Sequence, residues 1–412
     1  MDKKTALRID QLIQNHLEEI IKIRSYLHMN PELSNREFDT SKLVASKLLS
    51  MGLSIQTGVA KTGVVGTLRG QTSDVTIGLR ADMDALPIQE KTGLPYQSLN
   101  PGVMHACGHD IHTAVALGTA RVLTQMKDQI KGNIKFIFQP AEEGPPPGEE
   151  GGASLMIREG VLENPALRAI FGLHVWPDAE TGQVMFSDGP IMAGSDTFTL
   201  SIKGRSAHGA RPHEGIDSIF LTGQAMVDIQ AGLSRFLPPT EPVVVTIGKI
   251  KGGNRHNIIA DKVEMEGTVR TLDKTSRFKV RQLIEKTCQG VVSSQNAEYA
   301  FDYRIGTPPL YNHPELAAIL KPTLLNAAGP GNVLSLSPQM TAEDFAEFAQ
   351  IIPGFYFLLG VRSPGSPSAA PLHSPEFNPD ERSIAVGIKI MCHLLLDCLE
   401  FQHFPENPPP QP

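Results

Sequence analysis

VTIGLRADMD, residues 75–84, is an almost unbroken apolar run that closes on two aspartates. A strand of that texture fits a sheet buried on both faces, where the alternation of polar and apolar residues is lost. NIKFIFQ (133–139) and RAIFGLHV (168–175) read the same way, and VVGTLRG (64–70) is a further strand. A helix is expected from about 110 to 126, between the second and third of these four strands in chain order. Two more helices, at about 5–29 and 36–51, come before them. In the first, Leu12, Ile13, Leu17, Ile20, Ile21, Ile23 and Leu27 recur near helical spacing, the mark of an amphipathic helix on a core. Strands alternating with helices predict an α/β fold, a central sheet between helices.

From about 190 to 305 the order changes. DTFTLSIKG (196–204), a helix over 215–233, VVVTIGKIKG (243–252), DKVEMEGTVRTL (261–272), a helix at about 275–294 and AEYAFDYRI (297–305) give β-α-β-β-α-β. That is the ferredoxin-like split unit, whose sheet is open on one face and needs a partner. The last stretch returns to the first pattern, with helices at about 313–328, 342–350 and 380–401 and the strand FYFLLGV (355–361). The expectation is a discontinuous domain, 1–188 with 306–412, carrying an inserted dimerisation or lid domain at 189–305.

The composition narrows the function. The 412 residues carry 37 basic and 44 acidic side chains, a formal net charge of −7, so no basic stripe is available for nucleic acid. Hydrophobic residues at 41% and charged residues at 20% fit a soluble globular chain, not a disordered one. Four cysteines do not make a disulfide scaffold and suit a reducing compartment. Charges interrupt the N-terminal stretch every few positions, unlike a signal peptide, and no segment approaches the roughly 20 apolar residues that span a bilayer. A cytoplasmic, membrane-free protein is expected. There is no internal repeat of solenoid period, and the proline-rich tail, HFPENPPPQP (403–412), is expected to fray.

Metal-competent residues gather at the ends of the apolar strands, where ligand sites in open α/β sheets belong. RADMDALP puts Asp82 and Asp84 at one end, QPAEE puts Glu142 and Glu143 at another, and LHVWP puts His174 at a third. Cys107 and His109, in MHACGHDIHT, stand two apart just before a helix, and a thiolate and an imidazole both suit zinc or a similar divalent ion. APLHSPEF adds His373. Each has a bland explanation alone: adjacent glutamates are usually a solvated acidic loop, and a single histidine is usually a core or surface group. Jointly that explanation fails. Two metals sharing one ligand would account for so many donors. Cys288, Cys392 and Cys398 read as buried apolar residues.

In that order, RADMDALP, MHACGHD, QPAEE, LHVWP and LHSPEF closely resemble the clan MH metallopeptidases and amidohydrolases. The branch resembled holds bacterial N-acyl-amino-acid amidohydrolases, hippurate hydrolases and plant auxin-conjugate hydrolases. SAHGARPHEGIDSI and HNIIAD extend the resemblance into the insert. It implies a zinc-peptidase-like catalytic domain with a ferredoxin-like dimerisation domain, and two divalent metal ions, zinc or manganese, with cobalt or nickel as options. Cys107 would be the shared ligand, a position held by aspartate in related branches, and His109, Glu143, His174 and His373 would complete the two spheres. Glu142 would be the general base and acid, and Asp84 the supporting aspartate. His208 would reach across a homodimer to the partner's site and bind the reacting carbonyl or the substrate carboxylate. Asn257 and Arg270 lie in matching substrate-facing segments. Asp82 stands where other branches have a histidine ligand, and TAEDFA (341–346) resembles a family segment in which Glu343 lines the site; neither has an assigned role. The triple proline of GPPPGEEGG departs from the shorter loop of relatives, which bears on the entrance and not on the metal chemistry.

The implied reaction is hydrolysis of an N-acyl amino acid to a carboxylate and a free amino acid by metal-activated water. A dipeptidase or carboxypeptidase on the same site is the alternative. Two other classes stay open: a thiol hydrolase with Cys107 as nucleophile, and a binding protein that keeps the fold without catalysis.

Overall fold

The computed structural model describes residues 1–72, 75–401 and 403–406, so the tail expected to fray lies, from residue 407 on, outside the described residues. The chain divides into two units. Among the described residues, one contains Met1–Gly189, Tyr311–Ser337 and 347–406; the other contains Pro190–Leu310 and Pro338–Ala346.

Fourteen strands are described: β1 (Ser54–Val59), β2 (Gly63–Arg69), β3 (Thr76–Asp82), β4 (Asn133–Gln139), β5 (Ile170–Glu180), β6 (Val184–Phe186), β7 (Pro190–Met192), β8 (Gly194–Lys203), β9 (Val243–Gly252), β10 (Lys262–Thr271), β11 (Glu298–Arg304), β12 (Leu310–Tyr311), β13 (Val333–Ser335) and β14 (Gly354–Arg362). The helices are α1 (Lys3–Met29), α2 (Phe38–Ser50), α3 (His109–Thr124), α4 (Gly152–Arg158), α5 (Ser218–Phe236), α6 (Lys274–Ser293), α7 (Pro314–Ala328), α8 (Phe345–Ala349) and α9 (Ser383–Leu399).

In the first unit eight strands form one mixed sheet in the order β1-β2-β4-β3-β5-β14-β6-β13. β3 and β4 are buried along their whole length, as their apolar texture requires. Along β4, Ile134, Phe136 and Phe138 join the core that includes residues of α1, α3 and α9. Lys135, on the other face of the strand, donates to the carbonyls of Val161 and Glu163 in the turn after α4. Both faces are therefore covered. In α3 every residue except Arg121 and Thr124 is buried. β3, β4 and β5 run parallel, which brings their carboxyl ends to one edge.

The register corrects one reading. His174 does not end its strand, because β5 continues to Glu180. Leu79 pairs with Phe171, so His174 stands three residues past the last pairing, level with Asp82 at the end of β3. His174 is buried at the point where β3 stops and β5 goes on.

The second unit holds a four-stranded antiparallel sheet in the order β11-β8-β10-β9, with α5 and α6 packed on it. This is the ferredoxin-like arrangement expected from β-α-β-β-α-β, and β9 is one of its edges. The helix expected at 342–350 is only five residues long, Phe345–Ala349. The Glu343 carboxylate accepts the Phe345 N–H at 2.9 Å and so serves as its start signal.

Among the described residues no helix is long and apolar enough to cross a membrane.

Candidate active site

The donors of the first unit converge where β3 and β4 end and β5 runs on beside them. Gly108 makes the turn that presents two of them. Its φ of +83° is in the left-handed region, and a Cβ there would lie 2.4 Å from Val175 Cγ2, so only glycine fits between Cys107 and His109. Cys107 Sγ stands 3.3 Å from His174 Nε2 and 3.3 Å from His373 Nε2. His373 Nε2 is also 3.1 Å from Glu143 Oε1. His109 Nε2 is 3.8 Å from Glu142 Oε2. Cys107 thus belongs to two clusters whose donor atoms all lie within 4.8 Å, one with His109 and His174 and one with Glu143 and His373. His109, Glu142 and Glu143 form a further such group.

The hydrogen bonds fix which ring nitrogens remain available. His109 donates from Nδ1 to Asp84 Oδ1 at 3.2 Å, and its buried Nε2 has no hydrogen-bond partner. His174 donates from Nδ1 to the Val175 carbonyl at 2.7 Å, which leaves its Nε2 lone pair aimed at Cys107. Metal-ligating histidines are oriented in this way, through the nitrogen that does not bind. His112 is arranged differently. Its Nε2 accepts the Val175 N–H at 2.9 Å, so Nδ1 carries the proton and donates to Asp82 Oδ1 at 2.5 Å. Both nitrogens are used, and His112 positions β5 instead of offering a donor.

Asp82 is likewise committed, paired to Arg80 Nη1 at 2.7 Å as well as to His112. Burial opposes its charge, yet His109, His112 and Arg80 outweigh that and hold it well below the usual carboxylate range. Asp84 accepts from the Ser34 hydroxyl at 2.7 Å and the Glu143 N–H at 3.0 Å in addition to His109, so it ties a histidine and the carboxylate loop together. Trp176 is buried beside His174, ring centroids 6.4 Å apart.

The donor set fits divalent cations. Two donors held about 2.0–2.3 Å from one ion at a tetrahedral angle stand about 3.5 Å apart, close to the Cys107 spacings. Burial disfavours a charged His109, but Asp82 and Asp84 push it up to about 10; the pocket's negative potential favours a positive charge at that position. Burial above all holds His174 well below its ordinary value, neutral and able to donate a lone pair. Burial, followed by the charges of Glu143 and Glu142, drives the Cys107 thiol well above its ordinary range. A nucleophilic thiolate needs surroundings that favour its charge, and burial with Glu143 and Glu142 beside it opposes that charge.

Two positions carry backbone strain. Ala141 (φ +54°) precedes the glutamate pair, and His373 (φ +63°) is itself a donor. A left-handed non-glycine residue costs on the order of 1–3 kcal/mol and persists only where its surroundings over-determine it. For His373 one such restraint is its N–H, which donates to the Ala106 carbonyl at 2.9 Å.

Sequence reading missed two groups here. The first is Ser34–Glu37, a polar run whose partners lie far along the chain and leave no local signal. The second is a buried network in which Arg24 Nε and His28 Nδ1 reach Asp110 at 2.8 and 2.7 Å, while His28 Nε2 lies 3.2 Å from Glu90. It anchors α1 to the start of α3, beside His109. Cys288, Cys392 and Cys398 are buried and free, as packing residues should be.

His208, Asn257 and Arg270 belong to the second unit. His208 and Asn257 are exposed neighbours: His208 bridges to Ile258, and the Gly209 N–H donates to the Asn257 carbonyl at 2.9 Å. Arg270 is on β10, partly buried, with an Nη1 that has no hydrogen-bond partner. Glu343 is buried at the start of α8.

A parallel sheet edge with thiol, imidazole and carboxylate donors gathered beside an adjacent pair of glutamates is the arrangement of a metallohydrolase. The chain belongs to Peptidase family M20/M25/M40, whose profile matches residues 78–397. It is 40% identical over 311 residues to an N-acyl-L-amino acid amidohydrolase of Geobacillus stearothermophilus, covering 76% of this chain and 82% of the relative. It is 39% identical over 379 residues to thermostable carboxypeptidase 1 of Saccharolobus solfataricus, covering 92% and 94%. Among solved structures it resembles a dinuclear metal binding peptidase of the M20 family from Bacillus subtilis, with a TM-score of 0.81 and 33% identity over 94% of this chain and 99% of that one. The chain is a hydrolase acting on amides.

Proposed function

We propose that the enzyme hydrolyses the amide bond of N-acyl amino acids, with Glu142 as general base and acid. The observation that carries the reading is the position of Glu142 beside two donor clusters that share Cys107. Cys107, His109, Glu143, His174 and His373 would hold two divalent cations, zinc or manganese, with cobalt or nickel able to take their place. Bound there, such ions lower the pKa of a water from about 15.7 to about 7 and polarise a carbonyl. Glu142 takes the proton of the attacking water and returns it to the leaving nitrogen, the two-way duty of a general acid–base. Asp84 keeps His109 in its donor tautomer and fixes the Glu143 backbone. His208 binds the reacting carbonyl or the substrate carboxylate, and Asn257 and Arg270 contact the substrate.

His208 acts in the site of a second copy. The second unit supports a homodimer: β9 is an open sheet edge, and α5 exposes Ile219, Phe220 and Val227 along one face. Mixing inactive His208→Ala with inactive Glu142→Gln restores partial activity through heterodimers that hold one intact site. No recovery, with subunit exchange shown by a tagged copy, would exclude the shared site. The four cysteines, all unpaired, support a reducing, cytoplasmic location.

The substrate class is tested with a panel of N-acetyl, N-benzoyl and indole-acetyl amino acids beside dipeptides, with metal analysis of the same preparation. The acyl amino acids are turned over with kcat/KM at least tenfold above any dipeptide. The reverse ranking, which the carboxypeptidase relative makes the specific alternative, overturns the assignment.

A further inference from the structure

Glu37 sits at the start of α2, fully buried, with both carboxylate oxygens engaged. Oε1 accepts the Ala141 N–H at 2.9 Å and the Asn35 N–H at 3.0 Å, and Oε2 accepts the Thr62 hydroxyl at 2.6 Å. Ala141 is the left-handed residue immediately before Glu142 and Glu143. The three residues before Glu37 grip the same loop. The Ser34 hydroxyl donates to Asp84 Oδ2, the oxygen that accepts the Glu143 N–H. Asn35 Nδ2 donates to the Glu150 carbonyl at 2.9 Å and the Glu149 carboxylate at 3.1 Å. Arg36 donates to Glu149 at 3.2 Å. Gly151 closes the loop against this brace: a Cβ there would lie 2.9 Å from both Ala141 Cβ and Asn35 Oδ1.

We propose that Ser34–Glu37 is the template for the 141–150 loop, and that Glu37 is the positioning residue that holds Ala141 left-handed and thereby aims Glu142. The kinetic consequence rests on Glu142 being the general base; the loop geometry does not. A carboxylate is needed here less than an acceptor. Burial, with the Asp84 charge beside it, pushes Glu37 up to about 7, so a neutral acceptor of the same shape is a close substitute.

The test compares Glu37→Ala, Glu37→Met and Glu37→Gln on the best substrate of the panel, with metal content measured for each. The alanine and methionine variants lose at least tenfold in kcat, change KM less than threefold and keep their metal. The glutamine variant stays within threefold of wild type. Amide hydrogen exchange at Ala141, measured on metal-free protein, is faster in the alanine variant and near wild type in the glutamine one. Wild-type kcat in the alanine or methionine variant, a glutamine variant as impaired as they are, or unchanged exchange at Ala141 overturns the proposal. So does a failure of both apolar variants to fold, which assigns Glu37 to stability alone. Glu142→Gln is assayed alongside: if it keeps activity while exchange at Ala141 still responds, the base assignment fails and the template stands.

Discussion

Glu142→Gln keeps full metal content and loses activity by about 100- to 10,000-fold, the range a positioned general base contributes. Glutamine preserves shape and volume and removes only the ability to take a proton. The donors that would hold the metals are Cys107, His109, Glu143, His174 and His373, so the substitution leaves the coordinating set intact. Glu142 Oε2 is 3.8 Å from His109 Nε2, beside the donors, so a base there is within reach of a water held by the same ions. Metal analysis and steady-state kinetics on one preparation decide it. More than a tenth of wild-type activity at full metal content excludes Glu142 as the base.

Dialysis against a strong chelator takes turnover to background, and zinc or manganese restores it. Cys107→Ala binds less metal than wild type and loses on the order of 100-fold or more in activity, since even groups that only orient a ligand are worth 10–100-fold. The reason is geometric: Cys107 Sγ is common to the cluster with His109 and His174 and the cluster with Glu143 and His373. Removing it subtracts a donor from both. Full metal content in Cys107→Ala would end the bridging role. Activity that survives chelation would revive the thiol-hydrolase reading, against which the acidic surroundings of Cys107 already argue.

Several features of the site were readable one segment at a time. Burial of β3 and β4 on both faces follows from their own apolar runs, so the strand ends carrying Asp82 and, three residues past Gln139, Glu142 could be marked. The reading that His174 also ends a strand failed because strand length there depends on β14, which pairs with β5 beyond the point where β3 stops. Short strands such as β6 and β13 left no local signal, being three residues each and defined by their neighbours. Glu37 escaped notice for a similar reason: nothing near position 37 indicates that its acceptor oxygen meets an amide at 141.

By itself the sequence determined the kind of chain this is: alternating α/β with a β-α-β-β-α-β insert, and five ordered motifs that carry the donor types. Those are properties of local periodicity and composition, which each segment holds alone. Tertiary structure decided which nitrogen of His109 and His174 is free, that His112 and Asp82 are committed to each other, and that Ala141 is held left-handed by a helix start a hundred residues away. Apart from the bond of His174 to its neighbour Val175, each of these is a hydrogen bond between distant segments, and only the folded chain sets its length and direction.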